Sequence, residues 1–206
     1  ALNGPTFKAY QPLLEDAGIT NLFHQTGQLF VYHTRQSMEK DTFTRELRSA
    51  AGTRVEHLDS KAIQDIEPAL APVFEAGYLM PDNGHCKNPL GLAQALAQMF
   101  VNKGGQLLKT EVRDFEFEAG GISGLLTTSG QLPARKVVIS AGIWSRELCL
   151  KLGWRVPLES HRGYHATLEE PGVSVERMCF PVDYKFAVTP MADIQESNRV
   201  SVGCRG

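Results

Sequence analysis

Apolar and polar positions recur along this chain with two different periods, and the change of period marks its organisation. Near the start, Leu2, Leu13, Leu14 and Ile19 fit the core side of a helix that ends near Gly18. The run 28–33 predicts a strand with Leu29 and Val31 on one face and Phe30 and Tyr32 on the other, so both faces need cover. A polar helix is expected over 37–50, with Met38, Phe43 and Leu47 as its buried positions and Gly52 as its stop. A short strand over 55–58 leads to Asp59 or Ser60, either of which can cap a helix carrying Ile63 and Ile66 and ending before Pro68. The segment 74–80 reads as another strand. Turn residues Pro81-Asp82-Asn83-Gly84 then deliver His85 and Asn88 to a helix start, with Asn88 as cap and Pro89 as first helical residue. In that helix Leu92, Leu96, Met99 and Phe100 recur three and four residues apart as a buried stripe, and Gly104-Gly105 stops it.

From Gln106 the period becomes two. Strands over 107–117, 122–128 and 131–139 are joined by Ala119-Gly120-Gly121 and Ser129-Gly130, which predicts an antiparallel meander. The third strand runs into 137–139, an apolar run suited to burial on both faces, and then into the small residues Ser140-Ala141-Gly142. A helix follows from Ser145, with Leu148 and Leu152 on one face and Gly153 just past its end. Such a strand, turn and helix start can cradle an anionic group, although the same turn also forms wherever a helix packs closely on a sheet. After Pro157 the pattern returns to strands over 158–168, 175–180, 186–189 and 199–202, with turns at 169–172 and 192–198. The predicted class is α+β, a mixed fold with a mostly antiparallel sheet and flanking helices.

Composition narrows the function. The chain has 206 residues and 42% hydrophobic content, enough for one large or two small domains. A net charge of -2 with no local cluster of lysine and arginine argues against nucleic acid as a partner. No apolar run approaches the roughly 20 residues of a membrane span, and no leader pattern opens the chain. A cytoplasmic location is the expectation, with peripheral membrane association left open. Cys86, Cys149, Cys179 and Cys204 are scattered without a C-x-x-C pair, which predicts reduced, mostly buried thiols and no metal site. The chain opens without Met inside a helical pattern and closes as a strand begins, so it reads as a piece of something longer. It contains no G-x-G-x-x-G turn. No Ser-His-Asp or paired-carboxylate pattern stands out.

Several short stretches carry a likeness. They are Ala141-Gly142-Ile143-Trp144-Ser145, Leu152-Gly153, Pro157-Leu158-Glu159 and Arg162-Gly163-Tyr164-His165, preceded by the spacing from Leu58-Asp59 to Glu67-Pro68. Together they resemble the FAD-dependent D-amino acid oxidase/dehydrogenase superfamily, in particular its bacterial D-amino acid dehydrogenase-like members, over most of the chain. The resemblance implies a substrate domain begun in 1–84 and resumed in 158–206, around a partial Rossmann-like FAD domain in 85–157 that contains the meander.

The resemblance also implies site residues. The Val112 backbone would meet the adenine, Ser140, Ala141 and Gly142 would lie along the pyrophosphate and ribitol, Trp144 would pack nearby, and Gly163 would let the backbone approach the isoalloxazine. Read without the family, Val112 is an ordinary strand valine and Trp144 an aromatic wedged at a helix entry. Arg162, Tyr164 and His165 would serve the substrate, but alternation puts Arg162 and Tyr164 on one face and His161 and His165 on the other. Arg162 could clamp a carboxylate, stabilise negative charge on a reduced flavin, or form a structural ion pair. The implied reaction oxidises an amine carbon to an imine, which water converts to a keto acid and ammonia, with an electron acceptor or oxygen as the second partner. FAD is expected in the longer protein and not on this piece alone, since the dinucleotide fingerprint is missing. A relative acting on glycine, sarcosine or a 2-hydroxy acid, and a binding domain without cofactor, are the alternatives.

Overall fold

The computed structural model describes residues 6–192 and 198–205. The chain divides into two compact units, Ala1–Gly105 with Arg162–Gly206, and Gln106–His161. The helix expected to belong with the cofactor segment thus clusters with the first unit.

The first unit begins with α1 (Thr6–Ala17), closed by Gly18 at a φ of 69°. Leu14 is its buried residue, while Leu13 is exposed rather than core and Leu2 lies outside the described residues. Then come β1 (Phe23–His24), β2 (Gln28–Tyr32), α2 (Arg35–Lys40), α3 (Thr42–Ala50), β3 (Glu56–Asp59), α4 (Ser60–Ile66), β4 (Ala76–Met80), β5 (His85–Cys86) and α5 (Pro89–Asn102). Caps fall where side-chain chemistry places them. Asp59 Oδ1 accepts from the Ala62 amide at 2.8 Å, and Asn88 Oδ1 accepts from Gly91 at 2.8 Å.

The second unit supplies β6 (Val112–Glu118), β7 (Gly121–Thr127), β8 (Gly130–Pro133) and α6 (Ser145–Lys151). The chain then returns to the first unit with β9 (Gly163–Glu169), β10 (Met178–Pro181), β11 (Phe186–Ala192) and β12 (Asn198–Arg205). The turn expected over 192–198 falls almost wholly outside the described residues. The first unit's main sheet has the order β3-β4-β2-β10-β11-β12-β9, antiparallel except where β10 runs parallel to β2.

Both faces of β2 are covered, as its alternation requires. Leu29 and Val31 pack with Ile63, Phe74 and Cys179 on one side. Phe30 packs with Tyr32, Tyr78 and Met80 on the other, and its ring stacks between Tyr78 at 4.8 Å and Phe180 at 4.9 Å. Each such buried side chain contributes about 1.5–3 kcal/mol.

The helix expected over 37–50 is two helices. Asp41, between them, is held out of helical geometry at φ -84°, ψ 44°, and its carboxylate accepts the Tyr32 hydroxyl at 2.7 Å. Phe43 and Leu47 are 76% and 60% exposed instead of buried. Arg48 takes the inward position: its guanidinium lies 4.4 Å from the Phe30 ring centroid and donates to the Tyr78 hydroxyl.

Burial moves several ionisable groups in this unit. Tyr32 is held well above the ordinary phenol range and Tyr78 is raised as well, each chiefly by desolvation. Cys179 is pushed up to about 12 by burial, reinforced by Glu67. Cys204, in contrast, is exposed. The expected stripe on α5 is only partly covered; Leu92, Leu96 and Met99 are half-buried, and Phe100 is 50% exposed.

The second unit is a meander in the order β6-β7-β8, as the period-two pattern predicts. Phe115 and Leu125 pair across β6 and β7 and are its buried apolar residues among those described. The first and third strands are shorter than expected, and 137–139 forms no strand: Val138 is 89% exposed. An extended segment becomes a strand only beside a ladder partner, and none of the described residues provides one. The chain next turns through Gly142–Trp144 into α6, and the Trp154 amide closes that helix on the Cys149 carbonyl at 2.9 Å, with Gly153 at φ 80°.

Candidate functional site

Val112, Ser140, Ala141 and Trp144 line one cleft of about 880 Å³ in the second unit. They come from two places. Val112 opens β6, and the other three belong to the turn leading into α6. Gly142 sits inside that turn at a φ of 57°, a conformation that favours glycine, and a Cβ built on it would meet nothing within 4 Å. The glycine is therefore required by the backbone, and the space before it is open.

The turn is braced from within. Ser145 Oγ accepts from the Ala141 amide at 3.0 Å, so the expected helix-start serine spends its hydroxyl on the turn. The first amides of a helical turn have no carbonyl inside the turn to bond, so Gly142 and Ile143 present donors at this point.

The remaining wall was not singled out from the sequence. Glu147, Leu148 and Lys151 face the cleft along α6 at the helical spacing that continues from Trp144, and Thr110, Glu111 and Arg113 flank Val112. Arg113 pairs with Glu111 at 2.9 Å, and Lys151 with Asp114 at 3.5 Å. The spacing 144, 148, 151 is legible in the sequence, but only the fold shows that this face meets β6.

The other four predicted residues stand in the first unit. Gly163, Tyr164 and His165 open β9, the edge strand of the main sheet, pairing with Arg205, Cys204 and Gly203. Arg162 immediately precedes it. The strand starts later than the expected 158, and every residue in it is exposed. Tyr164 and His165 point to opposite faces, as alternation requires. Neither contact nor backbone angle demands glycine at 163, since a Cβ there would meet only the Cys204 carbonyl at 3.8 Å. Among the described residues, no three His, Cys, Asp or Glu side chains gather as a metal site.

Residues 1–203 match the family of FAD-dependent oxidoreductases designated DAO. The chain belongs to this family. Among its curated relatives, a D-amino-acid oxidase of Bradyrhizobium diazoefficiens is 26% identical over 179 residues, covering 87% of this chain and 42% of the relative. A D-amino acid dehydrogenase of Rhizobium rhizogenes is 29% identical over 185 residues, covering 86% of this chain and 42% of the relative. In fold, the chain is similar to a glycine oxidase from Bacillus cereus, with a TM-score of 0.79 at 20% identity, over 96% of this chain and 53% of that one. The chain thus spans about half the length, or less, of the proteins it matches. No helix among its described residues is long and apolar enough to cross a membrane.

Proposed function

We propose that this chain forms part of a flavoprotein that oxidises the carbon–nitrogen bond of a small amino acid, with a D-amino acid as the substrate class. The observation that carries the reading is the cleft itself: in a chain of the FAD-dependent family, Val112 and the turn Ser140–Trp144, apart in sequence, line the same space.

The cleft suits one segment of the cofactor. In this reading the Val112 backbone lies against the adenine, Ser140, Ala141 and Gly142 follow the pyrophosphate and ribitol, and Trp144 packs beside them. Small side chains and the open space before Gly142 support that fit, because backbone can approach a phosphate only where no Cβ intrudes. FAD belongs to the longer protein, and the sequence has no G-x-G-x-x-G turn with which this chain could hold it alone.

When bound, the flavin supplies the acceptor for the two electrons and the proton that leave the substrate as hydride. The chain's own residues bind and orient. Arg162 offers a two-point hydrogen bond to the substrate carboxylate, Tyr164 or His165 lines the substrate space from its own face of β9, and Gly163 leaves the backbone approachable.

The test uses the polypeptide at the length of its relatives. Purified, it should be yellow, and its flavin absorbance should bleach anaerobically with D-amino acids. Bleaching with glycine, sarcosine or a 2-hydroxy acid but with no D-amino acid would overturn the substrate assignment. A colourless protein that takes up no added FAD would overturn the flavoprotein reading and favour a binding domain.

A further inference from the structure

A second cleft lies wholly within the first unit. It has a volume of about 780 Å³, walled by the opening turns of α5, by the segment 18–24 and by Lys87. We propose that this cleft is a binding site for a small oxyanion, a carboxylate or a phosphate, held by Lys87, His24 and the amino end of α5.

Charge is the first support. Among the described residues, Lys87 and His24 are the ionisable side chains of the wall, and no aspartate or glutamate is among them. Lys87 is half-buried, and no carboxylate among the described residues pairs with it. The first turn of α5 carries no acid either, so the positive end of this 14-residue helix is not neutralised by its own side chains. Gln94, one turn along on the cleft side, adds carboxamide donors.

An independent observation comes from His85. It is only 8% exposed, and neither of its ring nitrogens has a hydrogen-bond partner among the described residues. A buried polar group left unpaired in a folded protein calls for a missing partner or a functional reason. The His85 ring stacks at 5.9 Å on that of His24, itself a residue of the cleft wall. Burial, with the charges of His24 and Lys87 adding to it, holds its pKa down to about 4. Burial thus keeps the His85 ring uncharged, Lys87 brings a positive charge to this wall with no acid beside it among the described residues, and an oxyanion in the cleft would balance that charge.

The His24 Nε2 lies 2.7 Å from the Asn21 carbonyl, which can only accept, so Nε2 carries a proton, and Nδ1 donates to an anion only when the ring is protonated.

The experiment titrates the 206-residue chain with sodium acetate and, separately, with sodium phosphate at constant ionic strength, following the ring carbon-bound proton signals of His24 and His85 by NMR. The site requires saturable shifts of both rings with at least one of the two anions. The anion that saturates at lower concentration identifies the ligand class. Lys87→Met should weaken binding at least tenfold, Lys87→Arg should retain it, and Lys61→Met, on the exposed face of α4, should leave it unchanged. Shifts that never saturate with either anion overturn the proposal, and so does saturation unaltered in Lys87→Met. Amide dispersion equal to that of the parent chain shows that each variant is folded; should Lys87→Met lose it, Gln94→Leu takes its place, with weaker binding expected and unchanged binding counting against the site.

Discussion

The two units are built from similar strands and differ in what covers them. In the main sheet, β2 lies between neighbours on both sides and beneath side chains on both faces, so Leu29, Val31, Tyr32 and Tyr78 are almost wholly removed from water. In the second unit, among the described residues, Phe115 and Leu125 are the buried apolar side chains, while Leu107, Leu108, Val138, Trp144 and Trp154 are all more than half exposed. The lesson concerns where stability resides. The sheet unit carries a core of its own, whereas the meander unit displays a cleft and apolar side chains that its own strands leave uncovered.

The largest expected effect breaks the better-packed side. Tyr78→Ala removes a ring stacked on Phe30 and bonded to Arg48, and should cost about 3–5 kcal/mol in urea unfolding. Its counterpart, Phe115→Ala, should cost only about 2 kcal/mol, because little packed structure surrounds it to be left with a cavity. Hydrogen exchange should show that loss confined to Gln106–His161. Equal costs at the two sites would remove the contrast between the units.

A backbone contact sharpens it further. Gly77 in β4 faces Val31 in β2, and a Cβ there would lie 2.5 Å from the Phe30 carbonyl oxygen. Gly77→Ala should therefore destabilise the sheet unit by about 1–3 kcal/mol, read from the urea midpoint. Gly121→Ala in the meander, where a Cβ meets nothing within 4 Å, should not disturb packing.

Glu67 supplies a test in pH. It is fully buried, and its carboxylate accepts the Glu176 amide at 3.3 Å. Burial raises its pKa above the ordinary 4.5, outweighing that amide and the charge of Arg177, which lower it. The folded chain then holds this proton more tightly than the unfolded chain. The associated stability is fully present below the ordinary value and is lost as pH rises through the raised one. Glu67→Gln keeps an acceptor for the amide and removes the ionisation. It should raise the urea midpoint at pH 7 and change it little at pH 4; a lower midpoint at pH 7 would show that the carboxylate's charge is the stabilising form.

The smallest effect concerns the exposed run. Val138→Thr should change the stability of this chain by less than about 0.5 kcal/mol, since the side chain already stands in water. A distinctly larger cost for the same substitution in a polypeptide of the relatives' length would show that the run is covered there.

Much of the framework was legible in the sequence. Asp59 and Asn88 cap the helices they were expected to cap, Gly18 and Gly153 end theirs, and alternation alone assigned Leu29 and Val31 to one core and Phe30 and Tyr32 to the other. These features depend on a few neighbouring residues, whose backbone preferences and side-chain directions act locally. The candidate site was legible in part: the turn at 140–144 and Val112 were singled out through a family likeness, and the α6 face that completes their cleft was not.

What the sequence determined by itself, then, is the kind and approximate place of most elements, because period, caps and turn residues are local physics. Tertiary structure decided the rest. It set β10 parallel to β2, turned Arg48 inward over Phe30 so that Phe43 and Leu47 face water, broke the expected helix at Asp41 through the Tyr32 hydroxyl, and left 137–139 without a ladder. An apolar pattern states that a face can be buried. Whether it is buried depends on which distant segment arrives to cover it.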